Sequence, residues 1–168
     1  MEFKTFSSVY EQQIYDLYCN FREEDDFFKI MSFEEFQGHL FKNPFFQPEG
    51  NFVALDGDRV VGYGGALVKP SDDANPNASG YIHTFIVKKE YRRQGIGSKL
   101  LELCEEYIKS KGRASARLVF ISPINWPWYI PHTEHHMHPG TPAVRINSEM
   151  YLFLYHHKKN EQLLSITH

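Results

Sequence analysis

Residues 87–98 read Val-Lys-Lys-Glu-Tyr-Arg-Arg-Gln-Gly-Ile-Gly-Ser, and this stretch decides the fold. It leaves an apolar run, Tyr81–Val87, that predicts a strand, and it opens a segment, Gly95–Lys111, that predicts a helix. The apolar residues of that segment recur at helical spacing on one face: Ile96, Leu100, Leu101, Cys104, Tyr107 and Ile108. The pattern therefore predicts a strand, a basic turn and an amphipathic helix in succession.

The start of this predicted helix has the chemistry of an anion site. The first N–H groups of a helix have no intrahelical acceptor, and the helix dipole adds positive charge at the same end. Gly95 and Gly97 would let phosphate oxygens approach without a Cβ in the way, while Arg92 and Arg93 would add full charges at the rim. The alternative is a basic turn that caps an ordinary helix. The strand before it and the two arginines favour a diphosphate cradle.

The same residues resemble the acyl-CoA-binding motif R/Q-x-x-G-x-G/A of the GNAT acetyltransferases. Arg92, Gly95 and Gly97 match the motif, and Ile86-Val87 match the apolar strand end before it. The resemblance in the order of elements runs from about residue 2 to about residue 157. It implies an α/β (α+β) fold with a mixed, mostly antiparallel central sheet and helices on both faces. It also implies transfer of an acetyl group from acetyl-CoA, as co-substrate, to an amine of a small molecule or peptide by direct attack.

The resemblance also assigns cofactor contacts. The backbone of Phe85, Ile86 and Val87 would pair with the pantetheine arm and polarise the acetyl carbonyl. Asn147 takes the place of an asparagine in the family's last helix and is a candidate CoA contact. The N–H groups that would hold the diphosphate, beside the Arg92 side chain, belong to Arg93, Gln94, Gly95, Ile96, Gly97 and Ser98.

Two residues are candidates for acid–base catalysis. His83 lies four residues before Val87, where the aralkylamine N-acetyltransferases carry a histidine, and it could remove the proton of the attacking ammonium. The alternative is a hydrogen-bonded histidine in the core. The tyrosine that many family members use as the general acid is replaced by Leu154; Tyr151 lies on the same helical face and is the substitute candidate, with core packing as its alternative role.

The rest of the chain predicts a single domain, residues 1–168. Residues 2–7 predict a strand, 10–21 a helix, 23–26 a solvated acidic loop, and Ser32 with Glu35 a capping box that opens a second helix. Asn51–Leu55 and Arg59–Leu67 predict a hairpin, and residues 70–80 a surface loop. The final elements are predicted as a strand at 118–121, a helix at 148–157 and a strand at 163–166.

The segment 124–140 is rich in histidine and aromatic residues. Four histidines fall within seven positions, at 132, 135, 136 and 138, but the spacing is not HExxH and prolines flank it. Solvated histidines are favoured over a designed metal site, so no metal ligand is predicted. A second hypothesis places Trp126, Trp128 and Tyr129 at the border of an amine pocket, where an aromatic face could hold a cation.

Composition excludes several classes of protein. The net charge of −3 disfavours a nucleic-acid binder, and no apolar run is long enough for a membrane span. Cys19 and Cys104 show no metal or disulfide spacing and, with no signal pattern at the N-terminus, predict a cytoplasmic protein. The family's final hairpin looks shortened; truncation, half of a tandem pair, or a homodimer that completes the sheet would each explain this. A non-catalytic acyl-CoA-binding regulatory module is the alternative function.

Overall fold

A computed structural model describes residues 1–24, 29, 31–75, 77–118, 122–124, 126–129, 137–138, 153 and 156–157. Its helices are α1 (Glu11–Glu24), α2 (Phe33–His39) and α3 (Ile96–Ser110). Its strands are β1 (Glu2–Thr5), β2 (Asn51–Asp56), β3 (Arg59–Leu67), β4 (Gly80–Val87), β5 (Ala116–Arg117), β6 (Trp128–Tyr129) and β7 (Met137–His138). Within these residues, no helix is long and apolar enough to span a membrane.

The first five strands form one sheet in the order β1-β2-β3-β4-β5. Neighbours are antiparallel from β1 to β4, whereas β5 lies parallel to β4. The predicted mixed, mostly antiparallel sheet is confirmed. β6 and β7 pair separately as a short antiparallel ladder within the histidine-rich segment, which the sequence did not predict.

Each face of the sheet carries its own apolar core because strand side chains alternate between the two faces. On β2, Val53 and Leu55 pack in the α1 core. Phe52 and Ala54 point the other way, into the α3 core. Each fully buried aliphatic or aromatic side chain contributes about 1.5–3 kcal/mol relative to an exposed one. The α1 core is formed with Ile14, Leu17, Tyr18 and Phe36, and the α3 core with Ile96, Leu100, Cys104 and Ile108.

Local signals fixed several element ends as predicted. The Ser32 hydroxyl accepts from the Glu35 N–H at 3.2 Å, and the Glu35 carboxylate accepts from the Ser32 N–H at 2.9 Å, so the capping box is present. The β2–β3 hairpin turns at Gly57, whose φ of 59° is left-handed and suits glycine. The predicted α3 helix is also confirmed, within one residue at each end.

Other boundaries differ from the predictions. α1 continues through Glu24, so Glu23 and Glu24 are helical rather than part of an acidic loop. β5 begins at Ala116, two residues before the predicted strand. A 3-10 turn, Pro70–Asp72, lies inside the predicted surface loop. Residues 119–121 and 163–166, and most of the helix predicted at 148–157, lie outside the described residues; Phe153 and His156 within it are helical.

The feature that shapes the site is a bulge in β4. Gly65 pairs with Thr84 and the next residue of β3, Ala66, pairs with Ile82, so His83 is an extra residue on β4. In the described part of the chain, β5 pairs with β4 at Gly80 and Tyr81. Residues of β4 beyond the bulge therefore have a strand partner on one side only among the described residues.

Candidate active site

The backbone of β4 beyond the bulge presents hydrogen-bonding groups that have no strand partner among the described residues. The Lys88 N–H donates to the Val61 carbonyl at 2.9 Å, in register with the β3–β4 ladder. Because hydrogen-bonded pairs alternate along an antiparallel ladder, Ile86 also bonds toward β3, whereas Phe85 and Val87 direct their N–H groups away from it. The predicted backbone contacts of Phe85 and Val87 thus face the side on which β4 has no strand partner among the described residues.

The basic turn after β4 folds into a cradle of N–H groups. Arg93 has φ 61° and Gly95, the N-cap of α3, has φ 80°, so two left-handed residues precede the helix. A non-glycine residue in this conformation destabilises the folded state by about 1 kcal/mol, and Arg93 is such a residue. Such a turn directs successive N–H groups into one concave, anion-binding surface. No described residue offers an acceptor to the N–H groups of Ile96, Gly97 and Ser98.

Side chains of the turn hold this cradle in place. The Arg92 Nε donates to the Val87 carbonyl at 3.0 Å, which ties the turn to the end of β4. The Gln94 side-chain amide donates to the Glu90 carbonyl at 3.1 Å, across the turn itself. Arg93 is exposed, so its guanidinium is available to a ligand at the surface.

A cleft of about 460 Å³ opens between the end of α1 and the end of β4. On the α1 side Leu17 and Phe21 form an apolar wall beside the polar Asn20. Basic residues follow on the turn, where Lys88 pairs with Glu90 at 2.9 Å. The cleft therefore joins an apolar wall to a cationic rim. The residues that line it are Leu17, Asn20, Phe21, Ile86, Val87, Lys88, Lys89, Glu90 and Arg92.

Two residues from the C-terminal part of the chain pack against the cradle. The Phe153 ring stacks on Phe85, with centroids 5.4 Å apart, and a Cβ on Gly97 would lie 3.2 Å from it. The His157 Nε2 lies 2.9 Å from the Ser98 Oγ. The sequence did not predict either residue as part of the site; the helix predicted at 148–157 was the only signal for them.

His83 is buried in a polar network beneath α1. Only 2% of its surface is exposed, and its Nδ1 lies 2.9 Å from the Thr84 Oγ1. The Trp126 indole N–H donates to the same oxygen at 3.1 Å. Among the described residues, His83 Nδ1 is the one acceptor for the Thr84 hydroxyl proton. Because Nδ1 then accepts a hydrogen bond, the proton of the neutral ring lies on Nε2. That Nε2 is buried and has no hydrogen-bond partner among the residues described above.

This environment weakens His83 as a base. Burial lowers the pKa of His83 from 6.5 to about 3, because the charged ring would lose its hydration. A ring with its proton on Nε2 and its Nδ1 engaged has no free lone pair for an ammonium proton. The geometry favours the alternative role that the sequence left open, a hydrogen-bonded histidine in the core.

Gly65 makes room for the His83 ring. A Cβ at Gly65 would lie within 2.6 Å of atoms of both His83 and Asn51, closer than real Cβ contacts come. Asn51 in turn accepts from the Tyr63 hydroxyl and donates to the Gln47 carbonyl at 2.7 Å. The bulge, Gly65 and these buried polar side chains are therefore packed tightly against one another behind the site.

Trp126 belongs to the core rather than to the border of an amine pocket. Its ring is 3% exposed and stacks with Tyr18 at 5.5 Å and Phe36 at 5.1 Å. Burial on this scale leaves it no open face for a cation, which corrects that hypothesis for Trp126. The side chains of Trp128 and Tyr129 lie outside the described part of the structure, so the hypothesis stays a prediction for them. Asn147, Tyr151 and the histidines at 132, 135 and 136 also lie outside the described residues.

Comparison with known proteins matches residues 11–129 to the acetyltransferase (GNAT) family. The chain belongs to this family. GNAT acetyltransferases use acetyl-CoA as the acetyl donor, which is the ligand chemistry expected of a strand edge followed by an N–H cradle. The resemblance seen in the turn residues is thereby confirmed at the level of the family.

Relatives of this GNAT chain differ in their acceptors. It is 38% identical over 65 residues to N-alpha-acetyltransferase 30 of Schizosaccharomyces pombe, covering 39% of this chain and 42% of that protein. It is 30% identical over 69 residues to mycothiol acetyltransferase of Geodermatophilus obscurus, covering 41% and 22% of the two chains. The matched segments thus span less than half of each relative.

Solved structures support the fold. An aminoglycoside acetyltransferase from an uncultured soil metagenomic sample, in complex with sisomicin, superposes with a TM-score of 0.62 at 20% identity and covers 99% of this GNAT chain and 94% of its own. An aminoglycoside 6'-N-acetyltransferase complexed with coenzyme A gives 0.53 at 23% identity, covering 71% and 62%. At these identities the similarity establishes the fold alone.

Proposed function

We propose that this protein is an acetyl-CoA-dependent N-acetyltransferase acting on an amine of a small molecule or peptide. The observation that carries the proposal is a set of backbone N–H donors with no acceptor among the described residues, those of Phe85 and Val87 on β4 and of the first turn of α3. A thioester arm and a diphosphate need donors of this kind, spaced along one edge. Family membership supports the reaction class, and these donors support a site along the edge of β4 and the start of α3.

Transfer by direct attack fits these groups. The amine nitrogen attacks the thioester carbonyl carbon, the carbonyl oxygen becomes an oxyanion, and the C–S bond then breaks to release the thiolate. N–H donors on β4 stabilise the oxyanion without any covalent enzyme intermediate. The ammonium must lose a proton before attack and the thiolate gains one afterwards, so the two steps balance. Tyr151 stays a prediction for the second step.

The cationic rim of the cleft supports binding of the CoA phosphates. Lys88, Lys89 and Arg92 line it together with one acidic residue, Glu90. Charge-assisted hydrogen bonds from such side chains are about twice as strong as neutral ones. Arg93, at the start of the cradle, adds a further exposed cation.

Calorimetric titration with CoA is the first test, followed by CoA release from acetyl-CoA with a panel of amines. The panel should hold peptides with free N-termini, small primary amines and aminoglycosides. We expect micromolar CoA binding and amine-dependent thiol release. Absence of CoA uptake by the folded protein would refute the proposal. Uptake without release for any amine would instead favour the regulatory module.

The Arg93→Gly variant tests the charge of the turn without disturbing its backbone. Glycine accepts φ 61° without strain, so the turn keeps its shape while one cation is lost. We expect CoA affinity to fall about five- to tenfold, equivalent to about 1–1.4 kcal/mol for one charge-assisted contact. Lys109→Ala, which removes an exposed cation in the last turn of α3, is the matched control and should leave the affinity unchanged. Equal effects of the two variants would contradict a local role of the turn.

A further inference from the structure

We infer that His157 positions the Ser98 hydroxyl for the diphosphate of CoA. The inference rests on the proposed function, because it takes the diphosphate to bind at the start of α3. Ser98 is the third residue of α3, within the turn whose N–H groups meet no acceptor in the described part of the chain. His157 reaches it from 59 residues further along the chain.

The imidazole of His157 is held at both nitrogens. Its Nδ1 lies 2.7 Å from the Phe153 carbonyl oxygen, and its Nε2 lies 2.9 Å from the Ser98 Oγ. The ring also packs on the Phe153 ring, with centroids 4.2 Å apart. Phe153 is in turn fixed by its stack on Phe85, and it packs so closely over Gly97 that a Cβ there would lie 3.2 Å from its ring. The position of His157 is therefore set directly by Ser98 and, through Phe153, by the packing over Gly97.

The proton positions follow from these partners. A carbonyl oxygen only accepts, so Nδ1 carries a proton and donates to Phe153. In the neutral ring, Nε2 accepts the Ser98 hydroxyl proton, which then points away from a ligand. In the cationic ring, Nε2–H donates to the Ser98 oxygen, and the hydroxyl proton is free to donate to a phosphate oxygen.

A bound diphosphate favours the second arrangement, since it then meets both a hydroxyl donor and a nearby cation. The charged side chains described on the same turns of α3 are Lys99 and Glu102, which pair with each other at 2.7 Å. CoA binding should therefore carry a proton to His157. The residue acts through Ser98 and is a positioning residue.

The test compares acetyl-CoA with S-acetyl-pantetheine, which lacks the diphosphate. For His157→Ala we expect the KM for acetyl-CoA to rise about fivefold, as for loss of one hydrogen bond, with kcat within twofold. The kcat/KM for S-acetyl-pantetheine should stay within twofold of wild type. His157→Gln should retain most of the acetyl-CoA affinity, because its amide N–H donates to Ser98 as the cationic ring does.

Two further measurements separate positioning from a general structural effect. Ser98→Ala should raise the same KM, and the double variant with His157→Ala should be no worse than either single variant, because one acts through the other. Calorimetry in buffers of different ionisation enthalpy should show proton uptake on CoA binding by the wild type that His157→Gln lacks. His156→Ala is the matched control, one position earlier and exposed.

The inference fails if His157→Ala lowers kcat/KM equally for both thioesters, if the Ser98 and His157 effects add, or if wild type and His157→Gln take up the same number of protons. It also fails if His157→Ala behaves as wild type. Failure of the proposed function is a different result, since the wild-type protein would then take up no CoA at all.

Discussion

Gly65→Ala gives the sharpest test of the packing behind the active site. The new Cβ would lie within 2.6 Å of atoms of His83 and Asn51, and both side chains are buried and hydrogen-bonded. Overpacking of this kind costs about 1–3 kcal/mol, and displacing a buried hydrogen-bonded group adds on the order of 1–3 kcal/mol. For a chain of this size, a loss of about 3 kcal/mol corresponds to a Tm lower by roughly 6–12 °C.

Gly38→Ala is the matched control for this prediction. Gly38 is exposed within α2 and a Cβ there would meet nothing within 4 Å. Alanine is the better helix former, so this variant should gain about 0.5–1 kcal/mol and a Tm higher by roughly 1–4 °C. Differential scanning calorimetry or thermal circular dichroism measures both. A Gly65→Ala protein that melts within about 1 °C of wild type would show that His83 and Asn51 are not tightly packed against Gly65.

The remaining predictions concern acid stability, thiol access and helix capping. Burial lowers the pKa of His83 to about 3 in the folded protein, so only the unfolded chain binds this proton between about pH 6.5 and 3. The free energy of unfolding should therefore fall toward acid by on the order of 1 kcal/mol per pH unit. Denaturant titration of His83→Gln should show a shallower dependence of this free energy on pH. Burial also raises the pKa of the Cys104 thiol to about 12, so a thiol reagent should modify Cys104 only after unfolding; rapid labelling of the native protein would contradict its burial. Ser32→Ala removes the capping box and should lower stability by about 1 kcal/mol, while an unchanged unfolding midpoint would show that the cap is dispensable.

What the sequence predicted correctly depends on neighbouring residues. The capping box at Ser32, the turn at Gly57 and the amphipathic face of α3 are encoded within a few positions, and the structure follows each of them. The motif from Arg92 to Ser98 is local in the same sense. Patterns of this length can be recognised without knowledge of the fold.

What the sequence did not predict depends on contacts between distant segments. The bonds from Trp126 to Thr84 and from His157 to Ser98 join residues 42 and 59 positions apart. The bulge at His83 is visible only in the pairing of β4 with β3. The base role of His83 rested on chain position, and burial, which no local pattern reports, argues against it.

The extra residue in β4 also decides which changes of length this strand can tolerate. A strand has a period of two, so one inserted residue reverses the direction of every side chain after it. With His83 present, Phe85 faces α3 and Ile86 faces α1. The bulge absorbs this change, because Ile82 and Phe85 both face α3 although they are three positions apart. Deletion of one residue between them would restore a regular ladder and leave Phe85 and Ile86 in their present directions. An insertion or deletion after Phe85 would meet no such bulge and would reverse the side chains that follow it.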